Sequence, residues 1–555
     1  MDFSLLPILI LFAIFPLLKV PVSVRNLYAD YDFAPKTDLQ FDLYLVGKEW
    51  LLYFIAVYVI LILIIHYRKE RITKTIIPGV IAATLLFLSS IFSIDKDIVW
   101  NGANELFEPF PVLIAYIILF YGAGFILSSP DNREKKLKLC LRSAIIGSTI
   151  ISIIGICQFL KGEAAASTLY NPDYAGSYLS LMLPLFILIL TSNGRNHKGK
   201  SFFLLLPVVL LNILFLLMTG SAAGIAGSIV GTAVGITVLF YGNDKKKKQL
   251  ILVFGVLSTI SIIVFFWINS YEPYEYPGFN LITGGRYAEF TNEDETVYIR
   301  RNLGTDEDSF ELFDGRGVPI PYRGDPENNT IMAEFPEDSC FSGFHFNPIE
   351  LKNGERGFVV FCVERQWYLG EDEEGNCHSL NAYGNLVDLT KADTAGIFEG
   401  RESFFHGRGY IWDRTLPLLK RFFFTGCGAD NFPLVFPQND IDKILKSGLS
   451  YEELVLKPHS LYLQTGIQLG IPALILFICF TSGIAVKLFL SATNEKSDST
   501  ERLISAAILA SMAGFLTTSL LNDSTICVTP LASAIFGTGW GQHIPGKKKE
   551  SRNPK

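Results

Sequence analysis

The string KPHSLYLQTGIQLG at residues 457–470 sets one histidine, His459, at the doorstep of an apolar helix. Histidine exchanges a proton near neutral pH, so it is a candidate base. Pro458 suits a helix start. The half-polar run after it leads into a stretch of membrane-spanning character. A lone histidine at a helix start is more often a surface or capping residue. The segment before it argues for chemistry. GRGYIWDRTLPLLKRFFFTGCGADNF (407–432) reads as an amphipathic helix followed by a Gly-rich turn. Arg408 and Trp412 lie four apart and share a face. Tyr410, Ile411, Leu416, Leu418 and Leu419 are expected on lipid, with Arg408, Arg414, Lys420 and Arg421 at headgroup level. Gly426 and Gly428 permit a tight turn before Asn431 and Phe432. A base beside arginines suits attack at a centre whose leaving group is anionic.

A third segment, NPDYAGSYLSLMLPL (171–185), stands ahead of another apolar run. A helix cap with a turn proline accounts for Asn171-Pro172. A substrate contact by Asn171 or Asp173 is the second reading.

These residues need a membrane to position them. The chain has 555 residues, 50% hydrophobic and only 18% charged, with mean hydropathy +0.34. That is too apolar for a soluble protein of this size. A window of about 19 residues finds about twelve spans. They lie near 3–20, 49–66, 76–94, 109–128, 139–160, 174–191, 202–219, 222–241, 249–268, 470–490, 503–520 and 526–541. The first lacks a basic leader and a cleavage site, so it reads as a retained span. Basic clusters at 67–71, 131–142, 193–200, 243–248 and 546–555 alternate with acidic, aromatic loops. Basic loops mark the cytoplasmic side. Both termini are then cytoplasmic, and the loop at about 270–458 is exported.

The net charge of −7 hides basic cytoplasmic loops and an acidic exported one; nothing points to nucleic acid. Four of the eight cysteines, Cys340, Cys362, Cys377 and Cys427, fall in the exported loop. An oxidising compartment permits disulfides there. At least one is expected among Cys340, Cys362 and Cys377, with Cys427 free. No CxxC spacing exists, so no metal site is expected.

The expected fold class is an all-α polytopic membrane protein whose large exported loop contains an inserted β-rich domain. Five regions follow: an N-terminal bundle of about nine spans (1–269), the β-rich insertion (270–400), the exported helix and Gly-rich turn (401–458), a C-terminal bundle of about three spans (459–545) and a basic tail (546–555). Short strand-like runs such as TVYIRR, SFELF and GFVVFCVERQWYL, separated by turn signals, mark the insertion.

Taken together, these strings resemble the O-antigen ligase and O-antigen polymerase superfamily. HSLYLQTGIQLGIP resembles its motif in which a His-Asn/Ser pair opens a helix; here the pair is His459 and Ser460, followed by Leu463, Gly470 and Ile471. NPDYAGSYLSLMLPL resembles its Asn-Pro-Asn/Asp segment. LLMTGSAAGIAGSIVG (216–231) resembles its Thr-Gly-Ser-Arg-Gly helix start, and 407–432 its Gly-Arg…Trp helix and Gly-x-Gly-x-x-Asn-Phe turn. The resemblance covers about 170–242 and 401–490. It implies a glycosyltransferase that needs no metal, cofactor or nucleotide sugar. The implied donor is a glycan on a polyprenyl diphosphate, and the acceptor a hydroxyl on a glycan, lipid or protein. The implied site is the outer face of the bacterial cytoplasmic membrane. His459 matches the proposed base, and Arg408 the arginine that meets the diphosphate. Trp412 and Ser460 join Asn171 and Asp173 as substrate-site candidates. One departure stands out: Ala222 and Ala223 occupy the place of the family's arginine after Thr-Gly-Ser. Arg401, Arg286 and Arg414, in that order, are the expected substitutes.

Two other function classes compete. A flippase for lipid-linked glycans should show ionisable residues near the midplane of its spans, and these spans are almost free of them. A receptor anchored by the bundle leaves the His459 and Arg408 segments without a purpose.

Overall fold

The computed structural model describes residues 3–31, 33–34, 36–66, 75–128, 132–195, 199–240, 280–292, 294–302, 309–325, 330–350, 356–362, 365–381, 384–389, 392–440, 444, 447–449 and 454–542. The expected span at 249–268 and the basic runs at 67–71, 243–248 and 546–555 lie outside the described residues.

The N-terminal part is helical: α1 (Leu6–Ala13), α2 (Val46–His66), α3 (Ile77–Ile91), α4 (Lys96–Asn101), α5 (Phe110–Ser128), α6 (Arg133–Leu160), α7 (Pro172–Arg195), α8 (Gly199–Thr219) and α9 (Ala222–Leu239). A small hairpin of β1 (Val22–Arg25) and β2 (Leu39–Asp42) sits between α1 and α2. After the strand-rich insertion come α10 (Phe404–Arg421), α11 (Phe432–Val435), α12 (Leu461–Leu469), α13 (Ile471–Thr493), α14 (Ser499–Thr518) and α15 (Thr529–Gly541). Among the described residues six helices are long and apolar enough to cross a membrane, α2, α5, α6, α7, α9 and α13, and three shorter apolar ones cover Phe3–Leu17, Ile77–Ile91 and Phe203–Thr219. The protein is thus a helical membrane protein with a β-rich region.

The helix starts follow local chemistry. Asn171 Oδ1 accepts the Tyr174 N–H at 2.8 Å, and Pro172 opens α7. This is the capping reading of Asn171, realised. Ser221 Oγ caps α9 by accepting the Gly224 N–H at 3.3 Å. Of the glycines of TGSAAG, Gly224 serves close packing, whereas Gly220, at φ 65°, has open space where a Cβ would stand. A Cβ built on Gly224 would lie 2.5 Å from the Gly176 Cα, and one on Gly231 2.5 Å from the Ala510 carbonyl oxygen. Helices α7, α9 and α14 therefore meet backbone to backbone.

The insertion is a β-sandwich. One sheet has the order β3 (Asn280–Ile282), β4 (Ala288–Thr291), β5 (Thr296–Asn302), β6 (Ser309–Asp314). The other runs from β7 (Tyr322–Asp325) through β8 (Thr330–Ala333), β9 (His345–Glu350), β10 (Arg356–Cys362), β11 (Arg365–Glu371) and β12 (Cys377–Leu380) to β13 (Leu386–Val387). Among the described residues each strand pairs antiparallel with its sequence neighbours in its sheet, and one bridge, Gly285 to Cys377, joins the two sheets. Alternate residues point inward, so Phe290, Ile299 and Leu312 of one sheet pack with Phe346, Phe358, Trp367 and Leu369 of the other.

The expected disulfide is absent: none of the eight cysteines is disulfide-bonded. Strand β11 separates Cys362 on β10 from Cys377 on β12. Two strand spacings put them about 10 Å apart, beyond disulfide reach. Cys340 instead turns its thiol to Glu295 Oε2 at 3.0 Å. Cys427 is free, as expected, and buried.

Candidate active site

The motif KPHS does not start its helix at His459. Ser460 is the N-cap of α12, and His459 takes a left-handed backbone with φ 51°. That corner turns the imidazole toward Asp523, with Nδ1 3.3 Å from Oδ2. Asp523 Oδ1 accepts the Ser460 N–H at 2.9 Å. One buried carboxylate therefore fixes both the ring and the backbone beside it. The His459 side chain is 42% exposed and that of Asp523 2%.

The rest of the motif grips the same short loop between α14 and α15. The Leu461 N–H donates to the Asn522 carbonyl at 2.9 Å. Lys457 Nζ donates to the Ser524 carbonyl at 2.9 Å, and Gln464 Oε1 accepts the Ser524 N–H at 2.7 Å. Glu108, in the loop before α5, is the hub underneath. It accepts from Tyr116 Oη and Ser524 Oγ, each at 2.7 Å. Lys457 Nζ lies 3.5 Å from its Oε2. Burial pushes the Lys457 ammonium toward neutrality. The Tyr174 ring and the carboxylates of Glu108, Asp523 and Asp430 outweigh that and raise its pKa.

Arg408 ties a third and a fourth segment to this loop. Its Nε donates to the Leu521 carbonyl at 2.9 Å and Nη1 to the Phe405 carbonyl at 3.0 Å. Nη2 lies 3.3 Å from Asp173 Oδ2 and 3.5 Å from Asn522 Oδ1. Ser221 Oγ donates to the other oxygen of Asp173 at 2.7 Å. Asp173 therefore joins the starts of α7 and α9 to α10. Asn522 adds bonds to the Asp173 carbonyl at 3.1 Å and Ser177 Oγ at 2.9 Å. Trp412 Nε1 donates to the Pro458 carbonyl at 2.9 Å, bracing the corner at His459.

Helix α10 is not laid on lipid as expected. Tyr410 and Ile411 are 0% and 1% exposed. They pack with Cys427, Phe432 and Phe436, which the Gly-rich turn folds back over them. Gly426, at φ 73°, makes that turn possible, because a Cβ there would strike the Gln468 backbone. Arg414 is buried too, 2.7 Å from Asp440 Oδ2 and stacked 4.0 Å over the Tyr410 ring. The C-terminal end of the helix, with Lys420 and Arg421, and the exposed Phe424 after it face outward, as does His406 near its start. In the same turn Asp430 accepts the Glu108 N–H at 2.9 Å, and its other oxygen has no partner. Burial pushes its carboxyl up to about 7, against the pull of Lys457 and with the push of Glu108.

A cavity of about 390 Å³ opens over these groups. It is lined by Glu105, Leu106, Tyr170, Asn171, Asp173, Tyr174, Leu454, Leu456, Lys457, His459, Asn522 and Asp523. Three of the expected site residues, His459, Asn171 and Asp173, share it. Arg408 stands just behind Asp173, and Ser460 and Trp412 hold its rim from below. Arg401 and Arg286 are exposed and do not line it. Ala223 packs on Phe405 and Leu521 where the family's arginine is missing. The sequence reading passed over Lys457, Glu108, Asn522 and Asp523. The signal for the last two was a polar NDST run (522–525) wedged between two apolar stretches.

Residues 367–478, which carry α10, the Gly-rich turn and α12, match the model of the family described as O-Antigen ligase. No curated protein and no solved structure matches the chain.

Proposed function

From the O-antigen ligase domain that places this chain in the O-antigen ligase superfamily, we propose that it moves a glycan from a polyprenyl diphosphate to an acceptor hydroxyl. The observation that carries this reading is the His459–Asp523 pair, open to a cavity that also presents Lys457. The acceptor oxygen attacks the anomeric carbon and its proton passes to His459. The bond from that carbon to the diphosphate oxygen breaks, and the electron pair leaves with the diphosphate. Asp523 is a positioning residue that holds the imidazole toward the cavity. Lys457 faces the charge that grows on the leaving group. Arg408 adds positive potential from behind Asp173 and fixes the loop that carries Asp523.

The helix ends support placement on the exported face. The ends of α2, α5, α7, α9 and α15 that border the site region are the ones away from the basic clusters at 67–71, 131–142, 193–200, 243–248 and 546–555. By the charge rule those clusters are cytoplasmic, and the cavity is outside.

The test uses purified protein, a polyprenyl-diphosphate glycan and an acceptor, in EDTA. His459→Ala should lower turnover by about 10²–10⁴-fold with the protein still folded. Wild-type turnover by that variant would sink the assignment. The glycan profile of cells lacking the protein then separates the acceptors. Lost long chains mean a polymerase; accumulated lipid-linked long chains mean a ligase.

A further inference from the structure

One wall of the cavity has no part in the chemistry so far. It begins at Lys457, whose Nζ lies 5.7 Å from the centre of the Tyr174 ring. Tyr174 stacks on Tyr170 with centroids 5.8 Å apart and planes 28° apart. Tyr170 meets Tyr44 edge-on at 5.9 Å. Beyond Tyr174 the lining residues are Tyr170, Asn171, Leu106 and the exposed Glu105. The Tyr170 hydroxyl lies near the Glu105 side chain. The backbone here is strained. Among the described residues, nine non-glycines have positive φ, and three of them line this cavity: Glu105 at 66°, Tyr170 at 81° and His459 at 51°. Such conformations persist where surrounding structure holds them, and they cluster at ligand sites. His459 has a chemical reason for its corner. Glu105 and Tyr170 need another.

An aromatic face beside a carboxylate and an amide fits a pyranose. The ring's C–H face packs on the tyrosine, and its hydroxyls donate to the carboxylate. The cation at the start of the wall fixes the direction, with diphosphate at Lys457 and its sugar along Tyr174 and Tyr170. The charge of the wall fixes the class. Among the described residues of the lining, Lys457 is the one lysine or arginine; Asp173 and Asp523 are paired with Arg408 and His459, and Glu105 stands at the sugar end. A sugar carboxylate lodged there would meet like charge. We propose that Tyr170 and Glu105 bind the first sugar of the donor and select a neutral pyranose over an acidic one. This rests on the donor reading above.

The test is equilibrium binding of two radiolabelled probes to full-length protein in lipid nanodiscs. The probes are short-chain prenyl diphosphates carrying N-acetylglucosamine or glucuronic acid. Wild-type protein should favour the neutral probe by on the order of tenfold. Glu105→Gln, which loses the charged acceptor, should weaken the neutral probe by roughly two- to threefold and cut the preference to about twofold. Tyr170→Leu should weaken both probes by roughly three- to tenfold, while Tyr170→Phe, which keeps the ring, should lose less than about twofold. Equal affinity for the two probes in the wild type, or a preference untouched by Glu105→Gln, overturns the proposal. If Tyr170→Leu does not fold, the Glu105→Gln arm decides alone. Selective binding without any transfer would remove the transferase reading and leave this subsite standing. Transfer with no sugar preference would do the reverse.

Discussion

In the β-sandwich, Arg300 on β5 faces the buried Glu371 on β11 at 3.5 Å, and Arg301 donates to the Ile349 carbonyl at 3.1 Å. All of these partners lie inside one insertion. Around the cavity, Lys457 reaches Glu108 across 349 residues, Ser524 reaches Glu108 across 416, and Tyr28 reaches the Asp430 carbonyl across 402. Both regions bury charge, but on different terms. The sandwich needs only its own meander of neighbouring strands. The cavity exists only when four distant stretches, 105–106, 170–174, 454–459 and 522–523, arrive together. Damage to the sandwich should therefore stay local, whereas damage to a cavity pair should spread through the membrane core.

The sharpest way to probe that contrast is the Lys457–Glu108 pair. Lys457→Met leaves a buried Glu108 without its cation, and should destabilise the core by about 3–5 kcal/mol and abolish transfer. Lys457→Met with Glu108→Gln should recover most of the stability and none of the activity. Thermal unfolding in nanodiscs and a turnover assay check both halves. If the double variant regains turnover, Lys457 serves packing alone.

A smaller effect is expected from Leu369→Ala in the sandwich core, which is 0% exposed. It should cost about 2–5 kcal/mol, confined to the insertion. Hydrogen exchange should rise in β9–β12 and stay unchanged in α7, α12 and the 522–524 loop. Faster exchange in those core segments would break the contrast.

The smallest effect concerns His378 on β12, which bridges Asp372 at 2.9 Å and Asp388 at 2.8 Å. Burial opposes its charge, but the two carboxylates prevail and raise its pKa above the usual 6.5. The folded form therefore binds the proton more tightly than the unfolded one. This stabilisation is complete below about pH 6.5 and is lost as pH rises through the folded value. Exchange protection of β11–β12, corrected for intrinsic rate, should fall as pH rises above about 6.5. His378→Gln should flatten the dependence. An equal fall in that variant would remove His378 as the cause.

What the sequence revealed follows the same division. Period-two alternation is a local signal, so strands such as TVYIRR and SFELF were legible. Helix starts were legible where a cap and a proline coincide, as at Asn171-Pro172. His459 stood out because its motif is contiguous. Arg408 stood out too, yet its partners did not, because no periodicity links residue 173 to residues 408 and 522. Helix α10 was misread for a related reason. Its apolar face looks the same whether lipid or Phe432 and Phe436 cover it, and only the fold of the Gly-rich turn decides. The disulfide expectation failed because closeness in sequence ignores which strand lies between.

The glycine seam of α7, α9 and α14 has a bearing on any saturation-mutagenesis map of this protein. Positions 176, 224 and 231 leave no room for a side chain, so nearly every substitution there will score as a null, just as at His459. Activity alone would then draw a second active site deep in the helices. Abundance tells the two apart: seam variants vanish from the membrane, whereas a silent His459 variant remains there in full amount.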